Sequence, residues 1–405
     1  MDPGDREGME SYLTAELSAS ALRWNLQLLR GRLDTGTLLC AVVKADAYGH
    51  GLPLLLPIIS QQADCLAVAT QEEALELRRL GYAGPVLMFF SAGAYAHSPK
   101  AVEALAELID HDISLTAVSV EELELIARAA RRAGQMPQVH LKIDTGMGRS
   151  GAPADQLSPL LDHASRHASL KLAGAYTHLA TADEADKSFA MEQLQRFTAA
   201  LTQVRLPGLI RHAANSAATI DLPQSRLDMV RPGIAIYGYQ PGQQMQTRLP
   251  LRPILRLTGK IMQIKTLPAG SRCGYGLTHR FDRQTRVGLV PGGYADGYPR
   301  SLSDRATMRV RGVDVSVCGR VSMDQVILDL SAVPAARIGD EVEIISADPQ
   351  APHSVENLSR LAGTIPYEFT CHLGRRARRV LVDQAAETPS VAAEEPAQTT
   401  PTAGP

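Results

Sequence analysis

The chain has 405 residues, of which 45% are hydrophobic and 21% charged, and its formal net charge is -2 at pH 7. These values are typical of soluble globular proteins and predict one large domain together with a smaller one. A near-neutral balance supplies no basic field to attract nucleic acid or an anionic membrane, so we expect a small-molecule partner.

Export and membrane insertion are not indicated. Residues 1–10 lack the basic and apolar regions of an export signal. The apolar stretch 52–59 contains Pro53 and Pro57 and is far shorter than the roughly 20 residues of a membrane-spanning helix. The five cysteines are scattered without a Cys-x-x-Cys pair, which favours reduced thiols in a cytoplasmic protein and gives no expectation of a metal.

From residue 38 onward, short apolar runs alternate with amphipathic segments, a pattern typical of βα units. The predicted strands are 38–44, 65–70, 84–89, 113–118, 138–144, 172–178, 210–216 and 229–237. Helical periodicity is clearest in 71–80, 120–133 and 186–201. Eight parallel strands over about 200 residues predict a closed (β/α)8 barrel rather than an open doubly wound sheet.

After residue 251 the pattern changes to short alternating runs with Pro-Gly and Gly-Asp turns, which predicts a mainly-β domain. We therefore divide the chain into a flexible N-terminus at 1–11, the barrel at 12–250, the β domain at 251–382 and a disordered tail at 383–405. The tail is rich in Ala, Glu, Pro and Thr and nearly free of aromatic residues.

Polar residues at the carboxyl ends of barrel strands are the first candidates for function. Lys44 ends an apolar strand, where a bare ammonium group is costly to desolvate. It either pairs with an acid or gives up its charge, for example as a Schiff base with an aldehyde cofactor. The sequence around Lys44 alone does not decide between an ion pair and a Schiff base.

The remaining strand ends are also polar. The loops after strands seven and eight often bind phosphate in such barrels, and Ser216 with the Gly233 and Ile234 amides suits that role. Taken singly, Ser216 could cap a helix, Gly233 could serve a turn and His178 could be a buried core histidine. The strand-end candidates are Lys142, Asp144, Arg149, His178, Asn215, Ser216, Arg231, Gly233 and Ile234.

Several motifs together resemble one known family. Val-Val-Lys-Ala-Asp-Ala-Tyr-Gly-His-Gly at 42–51 resembles the lysine motif through which bacterial alanine racemases bind pyridoxal 5'-phosphate (PLP). The resemblance extends over about 12–382. Its further segments, in the family's order, are 142–149, 177–184, 212–218, 230–238, 273–276, 293–298, 319–325 and 367–368.

The resemblance implies a role for each matching residue. Lys44 would anchor PLP covalently and act as the base for one alanine enantiomer, and Tyr275 would be the base for the other. Arg149 and the Met323 backbone would hold the substrate carboxylate, and Lys142 matches a lysine that is often carbamylated. The cofactor-binding residues would be Lys44, Tyr48, His178, Asn215, Ser216, Arg231, Gly233, Ile234 and Tyr367.

This chemistry needs an acid and a base on opposite faces of the substrate, one from the barrel and one from the β domain. Tyrosine is a weak base at neutral pH, so cationic neighbours such as Arg231, acting through His178, would have to favour its phenolate. Family members form head-to-tail dimers in which each β domain completes the partner's site. We expect the same homodimer here.

Two positions depart from the family pattern: Asp46 replaces a common asparagine, and Gly274 stands where serine is frequent. They affect substrate preference rather than a proposed catalytic atom, so a serine-preferring or broader racemase remains an alternative. A PLP-dependent decarboxylase and a non-catalytic PLP-binding protein fit less well. The sequence leaves open whether the enzyme supplies D-alanine for peptidoglycan or serves alanine catabolism.

Overall fold

The computed structural model describes residues 11–202 and 208–382. The predicted tail at 383–405 and nearly all of the predicted flexible N-terminus lie outside them. The strands up to residue 250 are β1 Leu13–Ser18, β2 Leu38–Val42, β3 Cys65–Val68, β4 Val86–Ser91, β5 Ile113–Ala117, β6 Gln138–Asp144, β7 Ala152–Pro153, β8 Lys171–Tyr176, β9 Ile210–His212 and β10 Met229–Val230.

The helices of the same part are α1 Ala19–Arg30, α2 Lys44–Tyr48, α3 Leu52–Ile59, α4 Gln71–Arg79, α5 Ala101–Asp110, α6 Val120–Ala133, α7 Leu157–Arg166, α8 Ser188–Thr202 and α9 Ser216–Asp221. The C-terminal elements are β11 Leu255–Lys260, β12 Gln263–Leu267, β13 Arg272–Cys273, β14 His279–Arg280, β15 Thr285–Pro291, β16 Thr307–Val310, β17 Val313–Ser316, β18 Gln325–Asp329, β19 Glu341–Ile345, α10 Val355–Ala362, α11 Pro366–Cys371 and β20 Arg378–Val382.

Eight parallel strands form a nearly closed barrel in the order β10-β2-β3-β4-β5-β6-β8-β9. Two backbone hydrogen bonds link the chain around β9 to that around β10, from the Asp228 N–H to the Arg211 carbonyl (3.1 Å) and from the Arg231 N–H to the Ala214 carbonyl (2.8 Å). The strands are apolar and buried because helices cover the outside while side chains fill the inside. The predicted barrel, followed by a mainly-β domain, is confirmed.

Two predicted strands are shorter than their apolar runs. The run 229–237 is extended only at β10 and then turns into a 3-10 helix at Ile234–Tyr237. Pro232 has no N–H to continue a strand ladder, which accounts for the break. The run 210–216 leaves the strand after His212, and the side chain of Asn215 caps α9.

The first strand of the chain belongs to the β domain rather than to the barrel. β1 pairs antiparallel with β11 and parallel with β20, inside a six-stranded sheet ordered β17-β16-β19-β11-β1-β20. Our sequence division had placed residues 13–18 with the barrel. Strand pairing between segments more than 230 residues apart leaves no local signal, so the pattern alone could not assign this strand.

Among the described residues, none of the helices combines the length and the apolar character that crossing a bilayer requires.

Candidate active site

A cavity of about 830 Å³ opens at the carboxyl ends of the barrel strands. Most of the residues that the sequence singled out line it, namely Lys44, Tyr48, Lys142, Arg149, His178, Asn215, Ser216, Arg231, Gly233 and Tyr367. Ile234 follows Gly233 and is fully buried. Tyr275 and Met323 lie elsewhere, on the β domain.

Lys44 begins a backbone turn of unusual handedness. Residues 45–48 have φ angles of 53°, 53°, 54° and 55°, in the left-handed region. None of the four is glycine, and each L-residue in this conformation costs roughly 1–2 kcal/mol. Such strain persists only where the surroundings enforce it, and it is concentrated at functional sites.

Glu73 is one of the groups that enforce this turn. Its Oε1 accepts a hydrogen bond from the Ala45 N–H at 2.7 Å, and its Oε2 accepts one from the Ala69 N–H at 2.7 Å. Glu73 also completes the capping box of α4 with Thr70. One carboxylate therefore ties the residue after Lys44 to the end of the neighbouring barrel strand.

The far end of the turn is held by the β domain. Arg379, on β20, donates from Nη2 to the Gly49 carbonyl at 2.8 Å. Asp46 Oδ1 accepts the Leu52 N–H at 2.6 Å. An asparagine oxygen could accept the same bond, so the departure at position 46 preserves this contact.

Cationic groups converge on the cavity around the lysine. Burial, followed by the charge of Arg149, lowers the pKa of Lys44. Burial, followed by the charges of Arg149 and Arg231, lowers the pKa of Lys142 to about 8. A desolvated amine with a lowered pKa is a competent nucleophile, and the excess of positive charge favours anionic ligands.

A small polar cradle lies at one side of the cavity. A Cβ on Gly233 would lie 2.3 Å from the Tyr48 hydroxyl oxygen, so a larger residue here would displace the Tyr48 ring. Ser216 Oγ accepts the N–H groups of Gly233 (2.8 Å) and Ala235 (3.3 Å). The ring of Tyr367 lies 6.0 Å from that of Tyr48, and burial raises the pKa of both phenols, which keeps them as hydroxyl donors.

Arg231 lies in the barrel interior and is only 4% exposed. Its Nη1 donates to His212 Nδ1 at 2.9 Å, and its Nη2 donates to the carbonyls of Thr177 (2.8 Å) and Ala213 (3.2 Å). The guanidinium also lies 5.2 Å from the ring centroid of Tyr176. Burial lowers the pKa of Arg231 to about 10, so the group remains a cation at neutral pH.

Arg231 is hydrogen-bonded to His212, which is in turn hydrogen-bonded to His140. The sequence alone did not point to either histidine. His212 Nδ1 accepts from Arg231, so its proton lies on Nε2, which donates to His140 Nδ1 at 2.9 Å. Burial, followed by the charge of Arg231, lowers the pKa of both imidazoles, that of His140 to about 4. The alternation along β6 places His140 on the same face as Lys142, a signal that could have found it.

His178 lines the cavity, and burial, followed by Arg231, lowers its pKa to about 3. It is therefore neutral at physiological pH. The sequence reasoning placed His178 in the network beside Arg231. In the structure the imidazole hydrogen-bonded to Arg231 is that of His212.

Tyr275 and Met323 are 69% and 53% exposed on the β domain, with Leu277 (53%) close in sequence. Gly274, before Tyr275, has a φ of +72° and an added Cβ would lie 2.9 Å from the Arg320 nitrogen. A serine would be strained in this conformation, which gives a physical reason for the departure at this position. Neither Tyr275 nor Met323 is among the residues that line the cavity of this chain.

One mouth of this barrel brings together a desolvated lysine, a buried arginine and a cradle of hydroxyl groups next to a glycine. This combination defines an enzyme that holds a phosphorylated aldehyde cofactor covalently. The residues fit PLP, because the amine suits the aldehyde and the cradle with its cationic surroundings suits the phosphate.

Comparison with known proteins identifies the particular family. Residues 17–241 match the model of the alanine racemase N-terminal domain, and 254–381 match that of the C-terminal domain. The alanine racemase of Desulfovibrio desulfuricans is 37% identical over 91% of this chain and 98% of its own length, and that of Syntrophobacter fumaroxidans is 37% identical over 89% and 95%.

Solved structures agree. The alanine racemase of D-cycloserine-producing Streptomyces lavendulae superposes with a TM-score of 0.85 at 34% identity, covering 93% of this chain and 98% of that one. The Clostridium difficile 630 enzyme gives 0.85 at 32% identity, covering 93% and 97%. The chain belongs to the alanine racemase family, whose members are PLP-dependent isomerases. The predicted family, enzyme class and cofactor are thereby confirmed.

Proposed function

We propose that this protein interconverts L-alanine and D-alanine. The observation that carries the proposal is the convergence of Lys44, the Tyr48–Gly233 cradle and the buried Arg231 on one cavity, in a chain that matches alanine racemases along nearly its whole length. A decarboxylase of similar architecture is not favoured by these matches.

The residues on the cavity wall divide the work of holding PLP. Lys44 Nζ would anchor it, Tyr48, Ser216, Gly233, Ile234 and Tyr367 would hold its phosphate, and Asn215 and His178 would lie beside it. When bound, PLP acidifies the Cα–H of an attached amino acid by spreading the carbanion charge. The protein therefore has to supply orientation, proton transfer and exclusion of water.

Arg231 would face the pyridine nitrogen as a hydrogen-bond donor that keeps its own proton. Its charge is held in place by His212 and by two backbone carbonyls. Neutral imidazoles at His212 and His140 supply neither a competing cation nor a ready proton. This arrangement favours simple return of a proton to Cα over side reactions that need a protonated ring.

Proton transfer is assigned to two groups. Lys44 Nζ would exchange a proton on one face of the substrate, and the Tyr275 hydroxyl would exchange one on the other. Arg149 and the Met323 backbone would orient the substrate carboxylate. The charge of Arg149 lowers the pKa of both Lys44 and Lys142, so replacing Arg149 with a neutral residue would also raise the pKa of Lys44.

Neither Tyr275 nor Met323 lines the cavity of its own chain, so we propose a head-to-tail homodimer in which each would act at the partner's cavity. The exposure of Tyr275, Leu277 and Met323 on the β domain supports it, since large apolar side chains at a surface are commonly covered by a partner. A cytoplasmic location is also proposed, together with supply of D-alanine for peptidoglycan or use in alanine catabolism.

The direct test is racemisation by purified, PLP-reconstituted protein. We expect L-alanine to be converted to an equal mixture of enantiomers, with little turnover of L-serine. The Lys44→Ala variant should lose both the activity and the visible absorbance of bound PLP. Absence of alanine turnover in protein that carries PLP would refute the proposal, and serine turnover equal to that of alanine would favour a broader racemase.

A further inference from the structure

A group of potential metal ligands lies on the outer helical ring, separate from the cavity. Glu124, on α6, faces His163 and His167, which lie four residues apart at the C-terminal end of α7. Their nearest ligand atoms all lie within 4.8 Å of one another. We propose that these three residues, here called the α6–α7 cluster, form a binding site for Zn²⁺ or a chemically similar transition metal.

The two imidazoles direct the same type of atom at one carboxylate oxygen. His163 Nε2 lies 2.9 Å and His167 Nε2 3.6 Å from Glu124 Oε1. In a tetrahedral zinc site with bonds of roughly 2.0–2.1 Å, neighbouring ligand atoms lie roughly 3.3 Å apart. The two distances bracket that value, so a metal ion could replace the present contacts after small side-chain movements.

The partial burial of the cluster favours a defined site over a freely moving surface pair. The side chains of His163 and His167 are 33% and 17% exposed, and that of Glu124 is 48% exposed. The helices themselves are fixed by packing, since Leu123 and Ile126 of α6 and Leu160 and Ala164 of α7 are buried. Glu124 and His163 thus stand on packed helices and His167 directly follows the end of one, which lowers the entropy lost on binding.

The ligand set selects the class of metal. Two imidazoles with one carboxylate suit Zn²⁺, Ni²⁺ or Cu²⁺, whereas Mg²⁺ and Ca²⁺ prefer oxygen ligands alone. Three protein ligands leave at least one position for water. None of the three residues lines the cavity at the barrel mouth, so we assign the cluster the joining of α6 to α7 rather than catalysis.

One present contact has to be given up. The Ser169 N–H lies 3.4 Å from His167 Nδ1, where it acts as a donor. A histidine that binds metal through Nε2 carries its proton on Nδ1. Metal binding therefore moves the His167 proton to Nδ1 and breaks this long hydrogen bond, which is a weak one at that distance.

The test is calorimetric titration of chelator-treated, PLP-loaded protein with ZnCl2, with MgCl2 as the comparison. We expect one Zn²⁺ per chain at this cluster and no Mg²⁺ binding. The His163→Ala/His167→Ala double variant should lose that binding event, with at least a tenfold loss of affinity. The matched control His97→Ala removes an exposed histidine outside the cluster and should bind as the unmodified protein does.

Two further measurements keep the result specific. Co²⁺ added in place of Zn²⁺ should give the visible absorption of a low-symmetry site in the unmodified protein, and that absorption should disappear in Glu124→Gln. Racemase activity and PLP absorbance should stay unchanged in all of these variants, which separates this proposal from the proposed function. Zn²⁺ binding that persists in the double variant, or no binding in the unmodified protein, would overturn it.

Discussion

His140 Nδ1 and His212 Nε2 lie 2.9 Å apart although their strands are not neighbours. β8 runs between them, and at the level of His140 it carries Gly174, which is the register partner of His140 on one side and of Ile210 on the other. A Cβ at this position would lie 2.3 Å from His140 Nδ1. The missing side chain is what allows the two imidazoles to meet beneath Arg231.

The Gly174→Ala substitution should therefore displace His140 and break the histidine pair. Overpacking of a buried site typically costs about 1–3 kcal/mol, so a lower free energy of unfolding is expected in denaturant titrations. The bound-PLP absorbance should also change as Arg231 loses its support. Gly31→Ala is the control, because Gly31 has a negative φ and ordinary contacts there, and it should have little effect. Equal stability of the two variants would contradict the role of Gly174.

Tyr275→Phe should retain PLP but lose racemisation. Removing a positioned proton-transfer group typically costs 10²–10⁴-fold in rate, and that loss should appear in kcat for both directions. The control Tyr12→Phe removes the hydroxyl of another exposed tyrosine and should leave the rate unchanged. A fully active Tyr275→Phe enzyme would refute the two-base assignment.

Mixing two inactive variants tests whether sites are shared between subunits. Lys44→Ala and Tyr275→Phe subunits, unfolded and refolded together in equal amounts, should form heterodimers that contain one intact site. In a symmetric dimer this restores about one quarter of the normal activity, whereas sites built within one chain would restore none. Each variant refolded alone serves as the control and should remain inactive.

Glu73→Ala should loosen the left-handed turn after Lys44. The substitution removes the Glu73 half of the α4 capping box, while the N-cap Thr70 stays, and it removes the hydrogen bond that the carboxylate accepts from the Ala45 N–H, typically worth about 0.5–1.5 kcal/mol. We expect lower stability and weaker retention of PLP on dialysis. Glu72→Ala removes an exposed carboxylate from the same first turn of α4 and should change neither by much. Equal stability and equal PLP retention in the Glu73→Ala and Glu72→Ala variants would contradict the role of Glu73 in holding the turn.

In cofactor-free protein kept free of CO2, we expect the free energy of unfolding to depend on pH because of Lys142. The pKa of Lys142 is lowered from 10.5 to about 8 in the folded state. Between pH 8 and pH 10.5 the unfolded chain therefore binds more protons than the folded one, and the free energy of unfolding rises with pH over this range. Below about pH 8 the full cost of burying the ammonium is present. Lys142→Met should therefore raise Tm at pH 7 and lose this advantage near pH 10.5. Lys171→Met, at an exposed position, should show no such trend.

The barrel was predictable because most of its strands contain short apolar runs and several of its helices show clear periodicity and N-caps. The helix predicted at 120–133 coincides with α6, with Ser119 as N-cap and Gly134 in the left-handed conformation after its end. Most of the predicted cavity residues followed from the rule that barrel strands present their carboxyl ends at one mouth, whereas Tyr48 and Tyr367 followed only from the resemblance to a known family. Their catalytic roles stay predictions.

Features that depend on distant pairing were not predictable. His212 supports Arg231 only because β9 and β10 close the barrel, and Arg379 reaches Gly49 across 330 positions in the chain. The left-handed turn at 45–48 contradicts the local preference of its own residues. In each case tertiary contacts, rather than nearby sequence, decide the conformation.

The position of β1 has a consequence for biosynthesis and for dissection of the molecule. Leu13–Ser18 sits between β11 and β20 as an interior strand of its sheet. During synthesis, nearly the entire polypeptide therefore has to be made before this sheet can form. The first strand to be synthesised, β1, stays unpaired until β11 and β20 are available. Cutting the chain near residue 250 would separate β1 from the sheet it completes, so neither half could be expected to behave as an autonomous folding unit.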